Sequence, residues 1–306
     1  MYELRRILVP TDFSRHADEA LEHALYLGGR FTPEIILLHV DEFPVSPLGA
    51  GDVRDAIVEQ YQQRKTAYLN EQFDRIRRGF EGKPARLVPQ ILAGRAYKVI
   101  IEESEAKEYD LIVMATRGLT HLSSYLIGST VERVVRLSRQ PVLTIQQGLE
   151  VGARVESILC PTDLSPAGNA ALSYALSMAR QFGAVLYIQY ISELEKPEAR
   201  EQVLARMPDL KEYHPQADEV KVEVFVDRDV EPSNSIVRFA DDREVGIIVM
   251  STHGRKGLRR VYIGNNTAEV VRKARQPVLT VSHPFHKRVF AHPLTEKRLP
   301  PKGITG

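Results

Sequence analysis

Asp12 lies in the stretch PTDFS, and a second unusual stretch, RGLTHLSSYLIGST, runs from Arg117 to Thr130. The second places Gly118 and Gly128 ten positions apart, and a helical pattern, STVERVVRL, opens directly after Gly128. Ser129 and Glu132 form an S-x-x-E pattern, which predicts a capping box and a helix beginning just after Ser129. A helix N-terminus carries unpaired N–H groups and the positive end of a dipole, and both favour a phosphate. Gly128 lets an anion reach the backbone with no Cβ in the way, and Gly118 supplies a second backbone wall. The plainer reading is that the two glycines only mark a turn and a helix start. No G-K-[S/T] follows either glycine, so the stretch is not a Walker P-loop. Asp12, at the end of an apolar run, has two readings as well. Its carboxylate can accept hydrogen bonds from ribose hydroxyls or an adenine amine, or help hold a metal near phosphates. It can also simply cap its own helix, whose N-cap reads as Ser14.

Both stretches recur. RRILVPTDFS from Arg5 returns as ESILCPTDLS from Glu156, so Asp163 echoes Asp12 at an offset of 151. DLIVMATRG returns as GIIVMSTHG, and Gly254, Gly264 and Asn265 echo Gly118, Gly128 and Ser129 at an offset of 136. RQPVLTI from Arg139 returns as RQPVLTV from Arg275 at the same offset. Four stations in one order define a duplication, with domains at 1–147 and 153–283 and a basic, Pro-rich tail at 284–306. The recurrence of the glycine spacing together with the aspartate favours the phosphate reading over punctuation. The drop in offset places a shorter middle segment in the second copy. There the first copy has a long helical pattern carrying Val53, Ile57, Tyr61, Tyr68, Phe73 and Ile76 near one face. The second has a short helix interrupted at Pro208.

The elements that must position these residues alternate. In the first copy the strands are RILVP, EIILLHV, ARLVPQIL, DLIVMA and VLTI, with helices following Ser14, Asp52, Arg95 and Ser129. Continuous apolar strands separated by helices predict parallel sheets covered on both faces. Right-handed crossovers then give an α/β, doubly wound, Rossmann-like domain in each copy. Ligands of such sheets bind beyond the carboxyl ends of the strands, where Pro10 and Ala115 end the first and fourth.

Composition narrows the partners. The 306 residues carry a net charge of +1 and one cysteine, Cys160, so no internal disulfide forms. That balance gives no support to a nucleic-acid partner, and no apolar run is long enough for a bilayer. With no signal-peptide pattern at the N-terminus, the expectation is a cytoplasmic protein. Cys160, in a strand, reads as inert, and His39, in an apolar strand, reads as a satisfied core histidine. No nucleophile–base pair is visible.

PTDFS, LLHV and MATRG…IGST together resemble the universal stress protein family, over nearly the whole chain except the tail. The resemblance implies five-stranded sheets of order 3-2-1-4-5 and an adenine nucleotide, ATP foremost, with or without magnesium. It puts adenosine near Pro10, Thr11 and Asp12, and the base against the Val40 backbone. It puts phosphates near Ala115, Arg117, Gly118, Gly128, Ser129 and Thr130. Ala115 replaces the first glycine of the family's G-x-x-G-x9-G-[S/T] signature. In the second copy the resemblance points to Asp163, Ser251, His253, Gly254, Gly264 and Asn265. Ser251 and Asn265 depart from the signature, and Tyr190 is taken as the counterpart of Val40, so the first copy is expected to hold the better site. The resemblance also implies pairing through the last strands, Val142–Ile145 against Val278–Val281, with further homodimerisation open.

Three functions follow. The first is nucleotide-dependent conformation or partner binding in a stress response, with slow hydrolysis if any. The second is a metal-dependent nucleotide hydrolase on the same fold. The third is a scaffold that has lost nucleotide binding.

Overall fold

In a computed structural model of the chain, the structure describes residues 4–29, 32–42, 52–117, 127–146, 148, 155–192, 199–252 and 265–282. The first domain runs β1 (Arg6–Thr11), α1 (Arg15–Gly28), β2 (Glu34–Asp41), α2 (Asp52–Gly79), β3 (Arg86–Ala93), α3 (Ala96–Ala106), β4 (Leu111–Ala115), α4 (Ser129–Leu137), β5 (Val142–Ile145). The second runs β6 (Ser157–Pro161), α5 (Pro166–Phe182), β7 (Val185–Ser192), α6 (Ala199–Arg206), β8 (Val222–Arg228), α7 (Pro232–Asp242), β9 (Ile247–Ser251), α8 (Asn265–Lys273), β10 (Val278–Val281). Within each domain the strands run parallel, and those of the first take the expected order β3-β2-β1-β4-β5. The second mirrors it as β10-β9-β6-β7-β8.

The strands are apolar because both faces are covered. Ile7 and Val9 face a core shared with Ala20, Leu21 and Ala24 of α1, and Leu8 faces a second core with Ile100 of α3 and Val134 of α4. Helix α1 buries Ala17, Ala20, Leu21, Ala24 and Leu27, the spacing of a single helical face. β3 holds Pro89, which lacks an N–H donor, and this suits its place at the outer edge of the sheet. α2 corrects the expectation of one apolar face. Leu69, Phe73 and Ile76 are buried, but Tyr61 and Tyr68 are each 52% exposed. In the second domain α6 ends before Pro208, and two 3-10 turns, Leu210–Glu212 and Ala217–Glu219, complete the shorter middle segment.

β5 and β10 pair antiparallel, Leu143 opposite Leu279, so ten strands form one sheet and neither of these strands is an edge. The bonds across the seam come in related pairs. Thr144 Oγ1 donates to the Val278 carbonyl (3.2 Å) and Thr280 Oγ1 to the Val142 carbonyl (3.1 Å). Further out, Gln146 Nε2 donates to the Val271 carbonyl in α8 (2.7 Å), and Ser282 Oγ to the Ser138 carbonyl at the end of α4 (2.8 Å). The donors of each pair lie 136 positions apart, as do the acceptors Val142 and Val278 of the first pair, so the seam has approximate two-fold symmetry. Among the described residues, no helix is long and apolar enough to cross a membrane. The tail at 284–306 lies outside them.

Candidate functional site

The turn after β1 is built by three side chains acting on the backbone. Thr11 Oγ1 accepts the Phe13 N–H (2.9 Å), Asp12 Oδ1 accepts the Ser14 N–H (3.0 Å), and Ser14 Oγ caps α1 by accepting the Ala17 N–H (3.2 Å). Phe13 is thereby held at φ 62°, a left-handed conformation unusual for an aromatic residue. Its ring stacks on His39 (4.8 Å) and meets Phe73 edge-on (5.1 Å), which helps offset the strain. His39 Nδ1 lies 3.0 Å from the Thr11 carbonyl, so this histidine is a satisfied structural group. The second domain repeats the turn: Thr162 Oγ1 accepts the Leu164 N–H (3.0 Å), Asp163 Oδ1 the Ser165 N–H (3.0 Å), and Leu164 sits at φ 59°.

The two aspartates nevertheless differ. Asp163 Oδ1 also accepts the Ser165 hydroxyl (2.6 Å) and lies against Gly168, where a Cβ would come within 2.3 Å of that oxygen. The counterpart of Gly168 is Ala17, whose methyl occupies this space, so the rotamer of Asp163 is closed to Asp12. Asp163 is folded onto the start of its own helix. This one-residue difference was visible in the duplicated sequence, but only the turn geometry gives it meaning.

At the end of β4, Thr116 organises the second half of the site. Its N–H donates to the Ile145 carbonyl (2.9 Å), and its carbonyl accepts the Gly128 N–H (2.9 Å). The chain therefore leaves the sheet at Thr116 and returns to the same point at Gly128, beside the neighbouring strand that ends in Thr11. Helix α4 starts there. Its first intrahelical bond runs from the Glu132 N–H to the Gly128 carbonyl (3.0 Å), so the N–H groups of Ser129, Thr130 and Val131 precede any intrahelical partner. The N-cap is Gly128, with no side-chain cap, and Ser129 is the first helical residue. This corrects the capping box: Gly128 takes the extended cap position, which moves Ser129 into the helix. Gly128 has φ −60° and ψ 137°, values open to any residue. Conformational freedom therefore does not explain a glycine here; what it removes is a Cβ at the mouth of a helix N-terminus. Thr116 escaped the sequence reading, because a lone threonine after a strand has no local signal.

Pro10 and Thr11 close β1. Ala115 and Arg117, both half-buried, flank Thr116, and Thr130 is half-buried in the first turn of α4. Val40 packs against the apolar cluster of Leu8, Leu38, Met114 and Val131. In the second domain, the Ser251 carbonyl accepts the Thr267 hydroxyl (2.9 Å), a bond that Val131 cannot make in the first, and Asn265 begins α8. Gly118, His253, Gly254 and Gly264 lie outside the described residues. The strand register corrects one assignment. Pro10 pairs with Leu38 and Pro161 with Gln189, so Tyr190 corresponds to His39, and Ile191 corresponds to Val40. The residue of the second domain aligned with Val40 is therefore aliphatic, not a tyrosine.

Cys160 is fully buried, and burial pushes its thiol up to about 12, which keeps it protonated and unreactive. Among the described residues, no group of three or more His, Cys, Asp or Glu side chains could hold a metal ion.

Two tandem doubly wound domains, each with an aspartate turn and a helix start following adjoining strands, define a class of tandem α/β proteins. The universal stress protein family model matches residues 3–146 and again 154–282, and the chain belongs to that family. The universal stress protein MJ0577 of Methanocaldococcus jannaschii is 29% identical over 154 residues, 47% of this chain and 95% of that protein. A universal stress protein of Mycolicibacterium smegmatis is 24% identical over 292 residues, 90% of this chain and 96% of its own length. Among solved structures, a universal stress protein from Archaeoglobus fulgidus superposes with a TM-score of 0.65 at 22% identity, covering 92% of this chain and 97% of its own.

Proposed function

We propose that the chain is an adenine-nucleotide-binding universal stress protein whose first domain holds the nucleotide, ATP foremost, and whose output is a conformational state or a partner contact. One observation carries this reading. The Gly128–Thr116 hydrogen bond returns the chain to the end of β4, so that the open N–H groups of α4 stand beside the turn of Asp12. Phosphates fit the helix N-terminus, Asp12 fits ribose hydroxyls, and the apolar surface around Val40 fits a base. Any magnesium would be held mainly by the phosphates. Turnover is slow, because the reading assigns no general base to an attacking water. Binding takes place in the cytoplasm, without membrane or nucleic acid. The seam between β5 and β10 acts in solution as an internal dimer interface, which cysteines placed at Leu143 and Leu279 test by cross-linking within one chain.

Calorimetry of the full chain with ATP and AMP tests the binding, with Gly128→Arg as the variant that fills the helix mouth. Heat with the unmodified protein and its loss in Gly128→Arg is the expected pair. A folded, unmodified protein that gives no heat with either nucleotide rules the reading out in favour of a scaffold.

A further inference from the structure

The two domains differ in chemistry at one patch on the α3/α4 face, beside the position proposed above for a base. In the first domain Leu38, Val40, Leu92 and Val99 fall in a single apolar cluster. Strand register and helix starts align them with Gln189, Ile191, Asp227 and Ser235. Three of the four apolar side chains are thus replaced by polar ones, while Ile191 still packs against the core.

The replacements contact one another. Gln189, fully buried, donates from Nε2 to Asp227 Oδ2 (2.6 Å) and lies 3.4 Å from the Ser235 hydroxyl. The amide orientation follows from chemistry, because turning it over would set its oxygen against the carboxylate. Gln189 Oε1 is buried and has no hydrogen-bond partner. Both amide hydrogens are committed, so among the described residues Gln189 Oε1 and Asp227 Oδ1 remain as acceptors without a donor. A buried acceptor left unmet costs free energy that Leu38 and Leu92 do not incur. Among the described residues, no donor of the second domain meets the other oxygen of the half-buried Asp227 carboxylate.

We propose that this patch makes the second domain a site for a base whose edge donates adjoining hydrogen bonds, as guanine does through N1–H and its 2-amino group, in preference to adenine. Adenine offers one donor next to the N1 lone pair, and that lone pair is repelled by a carboxylate. Guanine offers two neighbouring donors that a carboxylate accepts side by side. Asp227 is the contacting group, and Gln189 positions it from below. A site built around such acceptors rejects a ligand that leaves them unmet. This inference rests on the nucleotide reading of the fold and assigns the class of base in its second site.

The test uses the full chain with Gly128→Arg to close the first site, titrated calorimetrically with GTP and with ATP. One remaining site that prefers GTP by about tenfold or more is expected. Adding Asp227→Asn, which keeps size but replaces an acceptor by a donor, should lower GTP affinity about 10- to 100-fold. Asp227→Leu, which copies Leu92, should do the same, with circular dichroism and thermal unfolding showing a folded chain. A remaining site that prefers ATP overturns the inference. So does a chain that binds ATP only in its first domain, or a folded Asp227 variant with unchanged GTP affinity. In those three outcomes the proposed function stands. If the unmodified chain binds neither ATP nor GTP, the proposed function fails and takes this inference with it.

Discussion

The two domains share a turn to within a few tenths of an ångström in its hydrogen bonds, yet the chemistry around that turn has diverged. Thr11–Asp12–Phe13–Ser14 and Thr162–Asp163–Leu164–Ser165 make the same backbone-directed bonds and hold a left-handed residue at the same position. Around them, Gly168 stands in place of Ala17, Thr267 in place of Val131, and Gln189, Asp227 and Ser235 in place of an apolar patch. Duplication preserved what the fold needs, a strand end linked to a capped helix. The side chains around that link differ. Under the proposed function, that difference is where specificity would lie.

The largest effect tests the symmetry itself. Leu143 and Leu279 oppose each other at the seam, 1% and 2% exposed, and Leu→Ala at either should cost about 2–5 kcal/mol in urea unfolding. Closely similar losses mark one cooperative seam; a cost at one position alone breaks the two-fold comparison. Ile91, 44% exposed on the outer edge strand, should tolerate alanine at roughly 0.5 kcal/mol or less.

Next come the aspartates. If the proposed function holds, Asp12→Ala should weaken ATP binding about 10- to 100-fold by calorimetry, while Asp163→Ala should leave ATP affinity unchanged. Equal losses from the two would refute the division of labour drawn from Gly168. Smaller effects belong to the caps. Ser14→Ala and Ser165→Ala should each cost about 1 kcal/mol in thermal or urea unfolding, because both hydroxyls cap a helix through the third residue on.

The smallest effect distinguishes the middle segments. His214, 3% exposed between the 3-10 turns of the second domain, accepts the Gln216 N–H at Nδ1 (3.1 Å). Burial first, and the charge of Arg180 second, hold its pKa below the usual histidine value. A depressed folded-state pKa means that the unfolded chain takes the proton first. His214 therefore leaves stability unchanged well above about pH 6.5 and removes some as pH falls through that value toward its folded pKa. His214→Gln should flatten this part of the pH dependence of the urea midpoint, and an unchanged slope would count against the burial argument.

The duplication, the five strands of the first sheet, the cap at Ser14 and the inert Cys160 were all legible in residue order. Each rests on local periodicity, or on a side chain bonding to backbone within a few positions. Tyr190 was misplaced by one residue, because register is a property of paired strands and a slip of one exchanges the faces. Ser129 looked like a cap, since the S-x-x-E spacing cannot show that Gly128 is tied to Thr116, twelve residues back.

The amino-acid order alone determined that this chain is one α/β fold written twice, with an aspartate and a helix start at matching strand ends. Tertiary structure decided how those pieces are used. It selected which amide opens α4, which rotamer each aspartate can adopt, and which polar side chains meet at Gln189. Those outcomes depend on atoms brought together from 5 to 46 positions apart, as the Asp163–Gly168 and Gln189–Ser235 contacts show. Short-range patterns fix elements; only packing fixes the distances on which binding depends.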